Sequence, residues 1–244
     1  MAVELHFHLL PGVDDGPRDD EEALALARAA VADGTGLIVA TPHAGFVDVA
    51  TLDARAAELG ALLRSSRVPL EVRAGAELLA GDLLRLDPRE LELVAHGPPG
   101  HRWVLLEAPL EGGLGTVPEA LAKLSALGYG VLLAHPERSP GWWSDGALDK
   151  ALRAGARLQV NASSLLGAHG VQAELRALAL VQAGHATVLS SDAHSPARPP
   201  CLTPALEALT RAGVPADALV NAGPAALLEH GLPPVTEAPL GAAA

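Results

Sequence analysis

Two histidines stand one residue apart in an apolar run near the start of the chain, at His6 and His8. The run from Val3 to Leu10 predicts a buried strand, in which residues i and i+2 share one face. Both imidazoles should therefore point to one side of the strand, with Phe7 on the other side. Two neutral imidazoles that converge at a strand end form half of a metal site. The alternative is a pair of core histidines, each with its own hydrogen-bond partner.

Other residues with metal-binding side chains also stand at the ends of apolar runs or in a loop that follows one. They are Asp15, His43, Glu77, Glu107, His135, Asp192 and His194. In a parallel barrel the carboxyl ends of all strands meet on one face, so these residues would converge into one pocket. Taken singly, each is equally well explained as a polar residue of a surface loop. Five imidazoles and four carboxylates without a thiolate suit divalent Mn, Fe or Zn, and nine ligands suit two or three ions.

The charge of the chain indicates what such a pocket would bind. The formal net charge is −12 and no basic cluster is present, which argues against nucleic acid or an anionic membrane as a partner. An acidic chain repels anionic substrates unless bound cations reverse the local field. Arg138, soon after His135, and Arg198, soon after His194, are placed to reach the same face and grip a phosphate group. The alternative for either arginine is a surface salt bridge.

Apolar runs of strand length alternate with helical segments along the chain. Strands are predicted at 3–10, 37–40, 70–75, 103–106, 131–134, 157–160 and 186–190. Helices are predicted at 19–34, 51–67, 117–127, 144–154, 171–183, 203–212 and 215–230, with short helical pieces in 83–95. This alternation predicts parallel strands that are buried on both faces. We expect an α/β fold with a single-domain, distorted (β/α)7 barrel of the TIM-barrel type, and an open doubly wound sheet is the alternative.

Length and composition limit the domain organisation. With 244 residues, 49% of them hydrophobic, the chain can form one large domain, placed at 1–231, and a flexible tail, placed at 232–244. It contains neither an apolar run of about 18 residues nor a secretory signal pattern. The one cysteine, Cys201, excludes an internal disulfide and fits a reducing compartment, so we expect a cytoplasmic protein.

Eight segments resemble the PHP (polymerase and histidinol phosphatase) superfamily, and most closely its bacterial metal-dependent tyrosine phosphatases of capsule and exopolysaccharide synthesis. The resemblance covers roughly residues 3–230. The segments are HFHLLPGVDDGP (6–17), EEALALARAAVADG (21–34), ATPH (40–43), GAEL (75–78), LLEAP (105–109), AHPER (134–138), QVNASSLLG (159–167) and SDAHSPARPP (191–200). The resemblance implies the TIM-like barrel of that superfamily.

The same resemblance implies a trinuclear metal centre that is usually activated by manganese. The implied ligand sets are His6, His8, Glu77 and Asp192 for one ion, Glu77, Glu107 and His135 for a second, and Asp15, His43 and His194 for a third. Glu77 would bridge two ions, and Asp15 rather than Asp14 matches the ligand of the superfamily. Arg138 and Arg198 match its phosphate-binding arginines, and Asn161 resembles a residue that supports the ligands from outside.

Three features depart from the pattern of the superfamily. Glu4 stands where Asp usually precedes the His-x-His pair, and the spacer from His194 to Arg198 is one residue shorter than usual. The loop after His43, Ala-Gly-Phe-Val-Asp, is short and is without the set of basic and aromatic residues common there. The change in this loop bears more on specificity for phosphotyrosine than on phosphate chemistry.

Ligand set and resemblance together predict a phosphomonoester hydrolase. A water or hydroxide between two metal ions would attack phosphorus in line, without a covalent phosphoenzyme, while both arginines stabilise charge on the phosphate. The resemblance implies the phosphotyrosyl tail of a bacterial tyrosine kinase as the partner. A phenolate leaves more readily than an alkoxide, so hydrolysis of tyrosyl phosphate needs little proton donation. A cysteine nucleophile finds no support, since Glu207 rather than an arginine stands six positions after Cys201.

Three other functions stay open at this point. One is a small-molecule phosphatase such as histidinol phosphatase, which uses the same metal ligands. Another is a regulatory or scaffolding module that binds metal without catalysis, and the third is a metal-dependent hydrolase of amides or lactones. Four remaining histidines are predicted to be structural or surface residues: His96, His101, His185 and His230. His169, in the loop after Asn161, is predicted to be a solvated loop residue, and the alternative is that it approaches the pocket.

Overall fold

The computed structural model describes residues 1–236, which form an α/β fold. The strands are β1 (Ala2–Phe7), β2 (Thr35–Ala40), β3 (Glu71–Ala74), β4 (Glu77–Leu79), β5 (Trp103–Glu107), β6 (Gly130–Ala134), β7 (Arg157–Asn161) and β8 (Ala186–Ser190). The helices are α1 (Asp20–Ala32), α2 (Leu52–Ser65), α3 (Ala80–Arg85), α4 (Pro88–Val94), α5 (Val117–Leu127), α6 (Ala147–Arg153), α7 (Ala162–Leu165), α8 (Val171–Gln182), α9 (Leu202–Arg211) and α10 (Ala222–His230).

Helix ends follow from local side-chain chemistry. The Asp19 carboxylate accepts a hydrogen bond from the Glu22 amide and caps α1, whose first turn is acidic and so complements the helix dipole. Asp87 and Glu90 form a reciprocal capping box at the start of α4. Helix α5 ends at Gly128, which adopts φ 78°, a left-handed conformation that glycine adopts without steric cost.

The strands form two parallel sheets, one with the order β1-β2-β3 and one with the order β4-β5-β6-β7-β8. Alternate strand residues belong to two apolar clusters. Val39, Leu105 and Leu132 belong to a smaller cluster with Trp103, whereas their neighbours in the same strands belong to the larger cluster that includes the helices. Both faces of the strands are therefore buried, as the continuous apolar runs predict.

The parallel α/β class is confirmed, but the predicted (β/α)7 barrel is not, because residues 1–236 form eight strands in two separate sheets. At one junction, the Val3 amide donates to the Val220 carbonyl and the Leu5 amide donates to the Ser190 hydroxyl, so these two amides of β1 form no ladder with β8. Backbone bonds form there only beyond the end of β8 in the described chain, from the Asp192 amide to the His6 carbonyl and from the His8 amide to the Ala193 carbonyl. At the other junction the chain divides into β3 and β4, and the bridge between His43 and Glu77 links the sheets.

The end of the described chain packs against the domain. Leu232 and Val235 are buried, the Val235 amide donates to the Tyr129 carbonyl at 3.0 Å, and the Thr236 amide donates to the Ala154 carbonyl at 2.8 Å. Residues 232–236 thus differ from the flexible tail expected from their composition, because apolar side chains at 232 and 235 reach the core. The remainder of that predicted tail, 237–244, lies outside the described residues. Among residues 1–236, no helix has the length and apolar character needed to cross a membrane.

His96 makes stability depend on pH at a distance from the strand-end histidines. Its Nε2 is shielded from solvent without a hydrogen-bond partner in residues 1–236, and its ring lies 4.9 Å from the Trp103 ring. Burial and the charges of Arg102 and Arg73 lower the pKa of His96 to about 4. The unfolded chain therefore binds a proton first as the pH falls. From about pH 7.5 to about pH 5 this difference should cost about 1–2 kcal/mol of unfolding free energy.

Urea unfolding of wild type and His96→Gln at both pH values measures this cost. The variant should lose about 1–2 kcal/mol less than wild type on acidification. His185→Gln is the matched control, because His185 is exposed and should behave in the same way in both states. Equal acid sensitivity of wild type and His96→Gln would contradict the assignment.

Candidate metal centre

The folded chain brings all nine predicted ligands to one end of the sheets. His6 and His8 lie at the end of β1, His43 follows β2, and Glu77 opens β4. The others lie at or beyond the ends of later elements, or in the loop after β1: Asp15, Glu107, His135, Asp192 and His194. Seven of the nine are buried, namely His6, His8, Glu77, Glu107, His135, Asp192 and His194.

Glu77 lies at the centre of the cluster. Its Oε2 is 3.2 Å from His6 Nε2, 3.3 Å from His8 Nε2 and 3.1 Å from His43 Nδ1. Its Oε1 is 3.2 Å from His135 Nε2. One carboxylate therefore faces four imidazoles from three parts of the chain.

The first implied ligand set is compact. The Nε2 atoms of His6 and His8 are 3.3 Å apart, and they lie 3.3 Å and 3.5 Å from Asp192 Oδ1. Together with Glu77, these residues place four ligand groups around one point, as expected from the His-x-His geometry.

The other two implied sets are also assembled. His135 Nε2 lies 3.6 Å from Glu107 Oε1, next to Glu77. Asp15 Oδ1 lies 3.3 Å from His194 Nε2 and 3.7 Å from His43 Nε2. The chain contains further groupings with mutually close ligand atoms, which mix the implied sets: His8 with Asp15, His43 and His194, and His43 with Glu77 and Glu107.

Hydrogen bonds outside the cluster fix how three imidazoles face it. The Nδ1 of His6 lies 2.9 Å from Gln159 Oε1, and the Nδ1 of His8 lies 2.7 Å from Asp14 Oδ2. The Nδ1 of His194 lies 2.8 Å from the Asp192 carbonyl. With Nδ1 as the donor to these acceptors, each Nε2 directs its lone pair into the cluster, which is the usual arrangement of metal-binding histidines.

A series of hydrogen bonds between side chains joins two of the predicted ligands, His6 and Asp192. Gln159 accepts from His6 and donates through Nε2 to Asn161 Oδ1 at 2.8 Å. Asn161 donates through Nδ2 to Asp192 Oδ2 at 2.8 Å. The supporting position predicted for Asn161 agrees with this contact, whereas Gln159 and Asp14 were missed as supporting residues. Gln159 carries a signal, since it is a polar residue inside an apolar strand and shares a face with Asn161.

Two predicted ligands occupy unusual backbone conformations. His135 has φ 29° and Asp192 has φ 53°, and residues other than glycine rarely adopt such positive φ angles. The turn after His135 is held from outside. Glu137 Oε1 accepts from the Asn161 amide and the Ser164 hydroxyl, and Trp143 Nε1 donates to the Pro136 carbonyl. This bracing fixes the direction of Arg138.

The electrostatics of the cluster favour bound positive charge. Burial opposes protonation of His6, but the charges of Glu77 and Asp192 outweigh it and raise the pKa to about 9. Burial also opposes protonation of His8, but its hydrogen bonds to Asp14 and Glu77 outweigh burial and raise its pKa to about 10. Burial and the charge of Glu77 raise the pKa of Glu107 to about 8. Each shift reduces net negative charge, as a bound cation also would.

The residues present fit divalent metal ions. All nine groups are imidazoles or carboxylates, which suit borderline or hard ions, and no thiolate is among them. The converging Nε2 atoms of His6 and His8, 3.3 Å apart, face the same carboxylate oxygens. An ion at that point would take the place of two mutually repelling protons.

A cavity of about 280 Å³ opens above the cluster, and we call it the front cavity. Its lining includes Arg138, Arg198 and seven of the nine predicted ligands, all except His6 and His8. Arg138 Nη1 donates to Asp192 Oδ2 at 2.9 Å, and Arg198 Nη1 donates to Asp15 Oδ2 at 2.9 Å. Both predicted arginines therefore reach the cluster, and the shortened spacer before Arg198 does not prevent it. The two guanidinium groups add fixed positive charge beside the ligands.

Comparisons with known proteins agree with this arrangement. Tyrosine-protein phosphatase YwqE of Bacillus subtilis is 30% identical over 198 residues, which are 79% of this chain and 77% of that protein. The putative tyrosine-protein phosphatase CapC of Staphylococcus aureus is 29% identical over 199 residues, with the same coverage of both chains.

Solved structures extend the likeness to three dimensions. A structure from a study of YwqE from Bacillus subtilis and CpsB from Streptococcus pneumoniae, described as metal-dependent tyrosine phosphatases, has a TM-score of 0.74 and 27% identity. The match covers 96% of this chain and 98% of that chain. A mutant organophosphorus hydrolase from Deinococcus radiodurans has a TM-score of 0.56 at 18% identity, covers 93% and 92% of the two chains, and shares the fold alone. The model of the family described as capsular polysaccharide synthesis, CpsB/CapC, matches residues 2–220, and the chain belongs to this family.

Proposed function

We propose that this protein is a metal-dependent tyrosine phosphatase that acts in capsule or exopolysaccharide regulation. The observation that carries the proposal is the convergence of nine imidazole and carboxylate groups into one cluster, beneath a cavity that seven of them and two arginines line. Membership in the CpsB/CapC family, with relatives named tyrosine phosphatases, supports the same activity. The phosphotyrosyl tail of a bacterial tyrosine kinase is the proposed substrate, and the single cysteine supports a cytoplasmic location.

The proposed ion ligands are those of the three implied sets, with Glu77 shared between two of them. Bound divalent ions would activate water for attack and neutralise charge on the phosphate. We propose Mn²⁺, with two or three ions per chain, because oxygen and imidazole donors suit it; Fe and Zn are the alternatives.

The chain's own residues have separable tasks in this reaction. Arg138, which the braced turn holds in place, and Arg198 orient the phosphate and stabilise charge on its oxygens. Leu79, Ala108 and Leu110 line the front cavity and supply an apolar wall for an aromatic ring. A tyrosine phenolate has a pKa of about 10, so its departure requires little proton donation from the protein.

A phosphatase assay with and without metal tests the proposal. Protein loaded with Mn²⁺ should hydrolyse p-nitrophenyl phosphate and phosphotyrosyl peptides, and removal of metal by a chelator should abolish both activities. Preference for histidinol phosphate would favour a small-molecule phosphatase instead. Absence of phosphatase activity in metal-loaded protein would leave a binding module without catalysis as the better description.

Gln159 offers a test of the metal centre that does not depend on activity. Gln159→Leu keeps a similar volume but removes the acceptor for His6 Nδ1 and the donor to Asn161. Loss of such an outside partner lowers metal affinity by about 10–100-fold. Competition with a fluorescent chelator measures the affinity for Mn²⁺ directly. Gln182→Leu is the matched control, because Gln182 is exposed at the end of α8. Wild-type affinity in Gln159→Leu would argue against a metal held through His6.

A further inference from the structure

A second cavity lies beside the front cavity and shares two of its walls. We call it the side cavity; its volume is about 310 Å³, and Asp192 and Arg198 line both cavities. Binding sites for organic ligands typically begin at about 300 Å³, so the side cavity has room for a side chain of a substrate. The side cavity lies next to the part of the front cavity where Arg198 would contact a phosphate group.

The lining of the side cavity is mainly apolar. Leu166, Ala168, Ala197, Pro199 and Cys201 contribute to it. Cys201 is free, and burial raises the pKa of its thiol to about 12, so this side chain is neutral and acts as a small apolar group.

The two hydroxyl groups of the side cavity already have hydrogen-bond partners. The Ser191 hydroxyl donates to Glu4 Oε2 at 2.7 Å, and the Ser163 hydroxyl lies 2.9 Å from His169 Nε2. A polar side chain in the cavity would therefore lose its hydration and gain few new hydrogen bonds from these hydroxyl groups. An apolar side chain would lose no hydrogen bonds to water and would gain free energy from the burial of its surface.

We propose that the side cavity binds an apolar side chain adjacent to phosphotyrosine in a peptide substrate. This inference rests on the proposed function and names the substrate class more closely. The tyrosine ring itself has its own apolar wall in the front cavity, at Leu79 and Leu110. Because Arg198 lies between the two cavities and its side chain is 41% exposed, a peptide whose phosphate contacts it can place a neighbouring residue on the other side.

Hydrolysis of matched phosphotyrosyl peptides by the Mn²⁺-loaded protein tests the inference. The peptides carry Leu or Ser before the phosphotyrosine, or Leu or Ser after it, and are otherwise identical. Leu at one of these positions should raise kcat/KM by about tenfold over Ser, which is the expected gain from burying a side chain of that size. Equal kcat/KM for Leu and Ser at both positions would overturn the inference.

A variant that fills the side cavity provides the second measurement. Ala168→Trp should remove the preference for Leu, so that the ratio of kcat/KM for the Leu and Ser peptides falls to about one. Ala57→Trp is the matched control, because Ala57 is exposed on α2, away from both cavities, and should keep the ratio. A ratio that survives in Ala168→Trp would also overturn the inference.

The two levels of the hypothesis fail in different ways. If the wild-type protein hydrolyses neither p-nitrophenyl phosphate nor any peptide, the proposed function is wrong. If it hydrolyses p-nitrophenyl phosphate and all peptides without regard to the neighbouring residue, the phosphatase function stands and the side cavity is not a peptide subsite.

Discussion

Glu77→Gln is expected to abolish metal binding at the shared position and to reduce phosphatase turnover by more than about a thousandfold. The carboxylate faces the imidazoles of His6, His8, His43 and His135 at 3.1–3.3 Å, so its charge acts on all of them. Loss of a residue that supports a metal ligand from outside lowers affinity or activity by about 10–100-fold. Loss of a ligand that two ions share should lower both by more.

Thermal unfolding separates loss of metal from loss of fold. Glutamine keeps the shape of the side chain, so metal-free Glu77→Gln should still unfold cooperatively. Mn²⁺ at a hundred times its dissociation constant should stabilise the wild-type protein by about 2.7 kcal/mol and the variant by much less. Glu71→Gln is the control, because Glu71 is exposed on β3 and pairs with Arg73 at the surface. Full activity and full stabilisation by Mn²⁺ in Glu77→Gln would refute a shared carboxylate.

Sequence alone locates most of the candidate site because strand ends are readable from periodicity. Apolar runs predict where β5, β6 and β8 end, and Glu107, His135 and Asp192 stand at those points. Parallel strands then bring such residues together without any knowledge of side-chain contacts. The predicted bounds agree with helix α5 and strand β8 at both ends, where glycine or an apolar run marks the limits.

The sequence does not predict that the strands form two sheets instead of a closed barrel, because closure depends on single hydrogen bonds between distant segments. The amide of Val3 bonds to the carbonyl of Val220, and no local pattern predicts such a partner. The sequence predicts one strand at 70–75 that runs on into Ala76 and Glu77, although the chain divides there into β3 and β4. The resemblance favours Asp15 over Asp14 as a ligand, yet Asp14 orients His8 and accepts from the His43 amide. Residues that orient a ligand from outside the cluster, as Asp14 does, can be identified only from the folded structure.

Arg138→Lys is expected to lower kcat by about 100–1,000-fold, which is the range for loss of one oriented donor to a developing charge. Arg138 is mostly enclosed and donates to Asp192, and Glu137 and Trp143 hold its turn in place. A lysine ammonium carries the charge but cannot reproduce the planar, two-pronged contact with a phosphate. Most of the loss should therefore appear in kcat, where stabilisation of the transition state is measured.

Arg198→Lys should instead act mainly on KM, with an increase of about tenfold. Its side chain is 41% exposed and pairs with Asp15, which is itself 57% exposed, so its position is less fixed before substrate binds. Because both arginines contact predicted metal ligands, the metal content of each variant must be measured beside its kinetics. Arg73→Lys is the control for the same chemical change, since Arg73 pairs with Glu71 on the surface of β3. Equal losses of kcat in both site variants at full metal content would contradict separate roles, because a braced and an exposed guanidinium should not contribute alike to the transition state.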